Sequence, residues 1–472
     1  MSRVESLKRG RGRQRVGRRA FLKGVAGAAG LVAAAACSAP PSPTAVEKEV
    51  TRVVTREVPL PTPAEKREPV NIRYSSVKWG GVESKLWMDL ISRFHESQSA
   101  VRIPKGYEDV TEGYAKVMTQ AAGGVAADVY LFETKYMQSF ASLGFFPPLD
   151  DYVAKSPVVN KEKYFATDWQ EMFWGGKQRL VPFDNSPAMI WYNTEMFDAA
   201  GVAYPPDKFG QWKWQDFLQT AKTLTQGSGM SRVFGWIGEQ GWVYFLPWVW
   251  SNGGWLLNEK KTECVIDMPE TVEALQWAAD LIHVHKVCPL AAELMQGGTK
   301  AMFLNRRGAM STKGTYWVIE LKAQEGLKWN VAPYPDGRAG SFTRNPLDAW
   351  GIWNGSHYKD AAWQFIEFLS SDESLAQLTL AGLSVSNKKI MSEVFPKQEP
   401  KNVHWHLFAD ALSSHVKRHP DTAIYMQMND LIKPEWDAVL AGKKTVKEMV
   451  QALKGPINSL LAKCIKAGEC EG

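Results

Sequence analysis

Arg179-Leu-Val-Pro-Phe-Asp-Asn-Ser-Pro-Ala-Met-Ile-Trp-Tyr-Asn-Thr-Glu-Met-Phe-Asp198 holds two apolar runs separated by a short polar break and closes on a helix start. Apolar runs bounded by Pro and Asn read as strands. The break, Asp184-Asn185-Ser186-Pro187, places hydrogen-bonding side chains where the backbone has just left a sheet. The expectation is that the chain crosses here from one lobe to a second, with a ligand seated against the crossing.

Working outward, 472 residues exceed what one hydrophobic core supports and point to about two domains. No run of ~20 apolar residues is present, so no ordinary spanning helix is expected. Nine of the 56 basic residues and one of the 50 acidic ones fall in residues 1–36, so the rest of the chain carries a net charge of −2. The basic balance belongs to this leader, and nothing in the remainder calls for nucleic acid.

The leader is a basic stretch followed by a weakly apolar, Ala- and Gly-rich one, Gly24 to Ala36, the pattern of an export signal. Arg18-Arg19-Ala20-Phe21-Leu22-Lys23 resembles the twin-arginine signal, which implies export in a folded state. Cys37 follows Ala34-Ala35-Ala36 and resembles a lipoprotein processing site, so lipidation at Cys37 is expected. Residues 37–69 carry six prolines between Pro40 and Pro63 and little aromatic content, and read as a disordered tether. Of the four other cysteines, Cys264, Cys288, Cys464 and Cys470, the sequence-local pairs Cys264–Cys288 and Cys464–Cys470 are the favoured disulfides in an exported chain, against free buried thiols.

From Val70 the rhythm becomes that of an α/β protein. Val70-Asn-Ile-Arg-Tyr-Ser-Ser-Val77 alternates as a strand, Leu86, Trp87, Leu90, Ile91 and Phe94 recur at helical spacing, and Asp128-Val-Tyr-Leu-Phe132 is a further strand. Such alternation argues for parallel pairing, with ligands bound beyond the C-terminal strand ends. That rule singles out Trp79, Glu133, Asp184 and Asn185. Beyond the crossing, 212–224 reads as a helix, 233–236 and 262–267 as strands, and 269–285 as a helix. Segments 327–332 and 349–353 read as strands. The chain then turns helical, over about 358–370, 373–381, 405–416, 424–440 and 445–462.

Chemistry-bearing motifs are missing: there is no G-x-S-x-G, H-E-x-x-H or G-x-x-x-x-G-K-[ST]. His283 and His285 point to different faces of a helix, as would His404 and His406, so no metal site is expected. The chain instead holds 20 Trp, more than its 14 Tyr. Flat indoles beside a few Asp, Glu and Asn suit a pocket for sugar rings; Trp79, Trp250 and Trp255, next to Gly-containing loops, stand out.

Several segments together resemble family 1 extracellular solute-binding proteins, the sugar-binding components of ABC importers related to maltose-binding protein. They are 127–133 with Leu143-Gly-Phe-Phe-Pro-Pro-Leu-Asp-Asp-Tyr152, then 181–201, and Trp214-Gln-Asp-Phe-Leu218 with Lys213 where Thr is usual. Gly308-Ala-Met310, Gly314-Thr-Tyr-Trp317 and Leu440-Ala-Gly-Lys-Lys-Thr-Val446 complete the set. The resemblance implies an α/β, two-lobed periplasmic-binding-protein-like fold (type II) whose lobes are joined by crossing hinge strands. The first lobe would be 70–182 with 334–381, and the second 183–333 with 382–472. It implies ligand contacts at Trp79, Glu133, Asp184, Asn185, Trp250, Asn252, Tyr316, Trp317, Asp348 and Trp350, with either Tyr316 or Trp317 stacking.

The expectation is therefore a monomeric, membrane-tethered carbohydrate-binding protein, without catalysis or cofactor, that serves an ABC permease from the outer face of the cytoplasmic membrane. A secreted carbohydrate-active enzyme is the rival of another class. A non-sugar solute such as glycerol phosphate, a peptide or a polyamine is the third reading, for which Lys313 and Arg344 are the cleft cations.

Overall fold

The structure, a computed structural model, describes residues 68–470 apart from 77–80 and 110–113. The chain divides into two units, Met1–Glu65 and Lys66–Gly472. The expected signal, tether, Cys37 and Trp79 lie outside the described residues.

The opening stretch divides between two sheets. Val181–Asn185 is an edge strand of a five-stranded sheet, beside Leu347–Ile352, Val129–Glu133, Tyr74–Ser76 and Tyr107–Asp109 in that order. Met189–Asn193 lies inside a four-stranded sheet, between Gly308–Lys313 and Trp329–Ala332, with Phe234–Trp236 outermost. The chain leaves the first sheet only after Asn185, a few residues beyond the expected boundary at 182. It returns between Ala332 and Leu347.

Period-two alternation explains how these strands seat themselves. In Met189–Asn193, Met189 and Trp191 enter one buried cluster while Ile190 and Tyr192 enter another on the opposite face. In Val129–Glu133, Val129 and Leu131 share the first of those clusters, and Tyr130 and Phe132 face a third. Strands buried on both faces lose the polar alternation and read as continuous apolar runs. Helices cover both sides: Lys359–Leu369 packs into the first cluster, and Tyr425–Leu440 and Val446–Ala467 pack into the second.

Four sequence expectations are corrected. The first sheet is mixed, because Leu347–Ile352 runs antiparallel to both neighbours while the 74–133 strands pair in parallel. The strand expected at 70–77 is two pieces, Val70–Asn71 and Tyr74–Ser76, which pair with different partners. No strand forms at 262–267, where a single bridge joins Leu257 and Cys264. The Cys264–Cys288 disulfide is absent, whereas Cys464 and Cys470 are bonded with a Cα–Cα distance of 5.2 Å. The 15-residue helix Pro269–His283 stands between Cys264 and Cys288. Cys264 is anchored toward the C-terminal helix, its amide donating to Asn458 Oδ1 at 2.7 Å, whereas the Cys288 amide donates back to the Leu281 carbonyl at 3.2 Å, so each thiol is packed where its own segment is held.

Segments from four parts of the chain are bonded together at the crossing. The Ser186 amide donates to the Pro346 carbonyl at 3.0 Å and to Asn345 Oδ1 at 2.9 Å, and the Ala188 amide to the Arg344 carbonyl at 2.9 Å. Ser386 N donates to the Phe183 carbonyl at 2.7 Å. Thr315 Oγ1 lies 3.0 Å from Ser186 Oγ and 2.6 Å from Ser384 Oγ, linking the crossing to two further segments. Gly314 is required here, since a Cβ would fall 2.2 Å from Ser186 Oγ and 2.9 Å from the Ser186 carbonyl oxygen.

Candidate functional site

Antiparallel register puts three carboxylates in a row where the first sheet meets the crossing. Asp348 pairs with Glu133 on one side and with Asp184 on the other. Asp184 is buried, and its Oδ1 accepts the Asp348 amide at 3.0 Å. Burial raises the Asp184 pKa to about 8; the Asp348 amide opposes this and the charges of Asp168 and Glu133 add to it. Glu133 is paired with Lys135. Burial works against the Lys135 charge, but Glu133 outweighs it and raises the pKa.

Beside this row opens a cleft of about 880 Å³, within the range of small-molecule sites. Helical segments after the Val129–Glu133 strand contribute Thr134, Met137 and Gln138, and Ala166–Gln170 with its C-terminal flank contributes Gln170, Glu171 and Phe173. The opposite wall carries Trp250, Trp255 and Asn258. Trp250 is 3% exposed and largely spent on packing, whereas Trp255 is 42% exposed and keeps part of its indole free. Lys417 Nζ lies 5.5 Å from the Trp255 ring centre and 4.7 Å from that of Phe342.

Residues 416–421, Val-Lys-Arg-His-Pro-Asp, also line the cleft. The segment is anchored by parallel pairing of Val416 and Lys417 with Thr343 and Arg344. Arg418 reaches across to the buried Asp168 at 3.3 Å and to Glu171. Asp168 in turn accepts from Asn185 Nδ2 at 3.0 Å, which ties the segment to the crossing. His419 is buried with its pKa well below the usual value, through burial and then the charges of Arg344, Lys135 and Arg418. The ring is therefore neutral, and its Nε2 accepts from Arg344 Nε at 3.2 Å. The Arg344 guanidinium lies 4.5 Å over Tyr244, whose Oη is 3.3 Å from that of Tyr316. Burial pushes the Tyr244 phenol up, but Arg344 and then Lys313 bring it below its usual value.

Of the residues expected at the site, Trp250 lines the cleft, and Glu133 and Asp348 line a small second cavity that adjoins it. The others among the described residues are placed elsewhere. Asp184 and Asn185 are buried struts of the crossing. Asn252 caps helix Leu246–Ser251, and its Nδ2 donates to the Glu270 carbonyl at 2.8 Å. Tyr316 is held against Tyr244. Trp317 packs on Trp191 and Phe303, and Trp350 lies tilted against Phe183 with ring centres 4.5 Å apart, both fully inside the core. Strand and loop aromatics look alike in sequence, and only packing separates them. Sequence reasoning missed Glu171, Gln138, Gln170 and the 416–421 segment. The Arg-His-Pro-Asp cluster between two helical stretches was the signal that was available.

Residues 87–376 match the family described as bacterial extracellular solute-binding protein. Among curated relatives, a putative binding protein of Brucella abortus is 24% identical over 268 residues, which are 56% of this chain and 63% of the relative. The maltotriose-binding protein of Pyrococcus abyssi is 23% identical over 289 residues, 59% of this chain and 58% of that one. These matches thus span less than two thirds of the relatives' own length. Among solved structures, an ABC substrate-binding protein from Listeria monocytogenes in complex with cycloalternan superposes with a TM-score of 0.76 at 24% identity, covering 84% of this chain and 99% of that one. Maltose-bound MalE3 of T. maritima gives 0.72 at 22% identity, covering 83% and 100%. At these identities the likeness is one of fold, a two-lobed α/β architecture with the crossing between lobes. With its two sheets, its crossing and a matched region of well over half its length, the chain belongs to the bacterial extracellular solute-binding protein family.

Proposed function

We propose that this protein is the exported binding component of an ABC importer and holds a carbohydrate in the cleft beside the crossing. The observation that carries this reading is the lining of the cleft. Trp255 presents a partly free indole, while Gln138, Gln170, Asn258 and Glu171 supply amides and a carboxylate around it. An aromatic face suits the C–H face of a sugar ring, and the polar groups suit its hydroxyls. Relatives named as binding maltotriose, arabinooligosaccharide and erythritol or L-threitol favour the same ligand class.

In this reading, 70–182 with 334–381 and 183–333 with 382–472 are the lobes, and the crossing is their hinge. Trp255 makes the stacking contact with the largely packed Trp250 beside it, Glu133 and Asp348 meet the ligand from the smaller adjoining cavity, and Trp79 is a further contact from the first lobe. Asp184 and Asn185 act by holding the hinge. The twin-arginine leader exports the folded chain, and a lipid on Cys37 tethers it, as a monomer, within reach of the permease. Closure is selected by a ligand that interacts better with the closed state than the open one.

A thermal-shift screen with maltotriose, arabinotriose and erythritol, followed by calorimetry, tests the ligand class. A sugar that binds only the folded chain raises its melting temperature, and Trp255→Ala should weaken binding at least about tenfold, as loss of a stacking aromatic at a desolvated contact does. No shift with sugars beside a shift with glycerol phosphate or a polyamine would reassign the ligand class. Turnover of labelled oligosaccharide would point to an enzyme instead.

A further inference from the structure

At the blind end of the cleft, where it meets the crossing, lies a second, much smaller chamber of about 10 Å³. It shares Thr134, Glu171, His419 and Asp421 with the cleft, so the two adjoin. A volume of about 10–15 Å³ is what one water-sized oxygen needs.

Two polar atoms of its lining residues have no hydrogen-bond partner: Asn345 Nδ2 and Asp421 Oδ1. Both side chains are more than nine-tenths buried, at 7% and 9% exposure. Neither is loosely placed. Asn345 Oδ1 accepts the Ser186 amide at 2.9 Å, which fixes the amide orientation and leaves Nδ2 as the free end. The Asp421 backbone is held by its amide donating to the His419 carbonyl at 2.7 Å, and by Lys261 Nζ donating to its carbonyl at 2.9 Å. A buried donor and a buried acceptor left unmade both cost stability, which an occupant able to meet them would relieve.

The pairing of one donor with one anionic acceptor selects the occupant's chemistry. An ammonium group only donates and would leave Asn345 Nδ2 unmet. A carboxylate or phosphate oxygen only accepts and would be set against the Asp421 carboxylate. A hydroxyl or a water does both, accepting from Nδ2 and donating to Oδ1.

We infer that this chamber is a single-hydroxyl subsite, held by Asn345 and Asp421, that takes one terminal hydroxyl of the bound ligand and is filled by one water when the cleft is empty. The ligand part rests on the carbohydrate reading above, and it adds a requirement: the sugar end that enters the chamber carries a free, unsubstituted hydroxyl. Asn345 also sits on the crossing through Ser186, so the subsite reads the ligand at the hinge itself.

Two measurements test it. A high-resolution crystal structure of the ligand-free chain should show one ordered oxygen within hydrogen-bonding distance of both Asn345 Nδ2 and Asp421 Oδ1. A dry chamber, or a chloride in it, would overturn the proposal whether or not the protein binds sugars. The second is calorimetry with whichever of maltotriose, arabinotriose and erythritol stabilises the chain. Asn345→Asp keeps the acceptor for Ser186 but replaces the donor, and should weaken binding at least about tenfold. Asp421→Asn should weaken it similarly. The double variant Asn345→Asp with Asp421→Asn exchanges donor and acceptor, and a hydroxyl that turns round should recover most of the affinity. Additive losses without recovery, at unchanged melting temperatures, would overturn the hydroxyl assignment. A complex in which the sugar leaves the chamber water in place would do the same. If none of the three sugars binds, the carbohydrate reading falls, and the ligand-free crystal still decides the chamber.

Discussion

Asp184 sits in an environment far from what a carboxylate ordinarily meets. Its carboxyl is buried beside Asp348 and titrates at about 8 in the folded chain, against about 3.9 when unfolded. Between those values the folded state holds a proton that the unfolded state has released. Its contribution to stability is therefore full below about pH 3.9 and is lost as pH rises through 8. Asp184→Asn, which keeps the shape and carries no charge, should flatten the fall in stability between pH 5 and pH 8.5. Urea unfolding at both pH values checks this, and parallel profiles for the two proteins would remove Asp184 from the account. Cys264 and Cys288 make a second residue-scale case. Burial pushes the Cys288 thiol up to about 12 and raises that of Cys264 as well, so the reactive thiolate is suppressed. Both should resist iodoacetamide in the native chain and react once it is denatured; labelling of either at native pH 8 would contradict their placement.

At the scale of elements, alternation and helical spacing carried most of the information. Met189–Asn193 splits its side chains between two clusters as its residue pattern demands, and the helix at 214–224 buries Phe217, Leu218, Ala221 and Leu224 on one face. That helix packs so closely on the Phe234–Trp236 strand that a Cβ on Gly235 would fall 1.9 Å from the Ala221 carbonyl oxygen. Backbone cannot yield as a flexible side chain does, so Gly235→Ala should cost about 1–3 kcal/mol, measurable as a shifted urea midpoint at unchanged slope. Wild-type stability would mean that the helix and strand separate at little cost. Elements that depend on partners were less legible. The segment 262–267 has the composition of a strand but meets no neighbouring edge, and forms only the bridge at Cys264.

Across the whole molecule, Arg418 joins the 416–421 segment to Asp168 and Glu171 on the far side of the cleft. Asp168 is fully buried and would be left without its cationic partner in Arg418→Ala. Breaking a buried pair from one side costs about 3–5 kcal/mol, so this variant should lose stability on that scale. If the lobes move as proposed, its ligand-free form should also show a larger radius of gyration by small-angle scattering. An unchanged radius with lowered stability would make the pair a purely local strut. Closure arithmetic sets the scale: a ligand shifts the lobes only by its differential affinity for the two states.

What the sequence determined by itself was local and periodic: the strands on either side of 184–187, the helices covering them, and a composition that concentrates the excess of basic charge in residues 1–36 and tryptophan in the remainder. These follow from chain connectivity and side-chain period, which are written residue by residue. The family likeness was legible for the same reason, through short segments in a fixed order. Only the tertiary structure decided which aromatics are core and which face the cleft, because Trp317, Trp350 and Trp255 differ in what packs on them and hardly at all in sequence context. It alone joined Arg418 to Asp168, Asn345 to Ser186, and Asp348 to both Glu133 and Asp184, residues far apart in the chain. Those contacts depend on sheet register and on the crossing, and no local pattern encodes either.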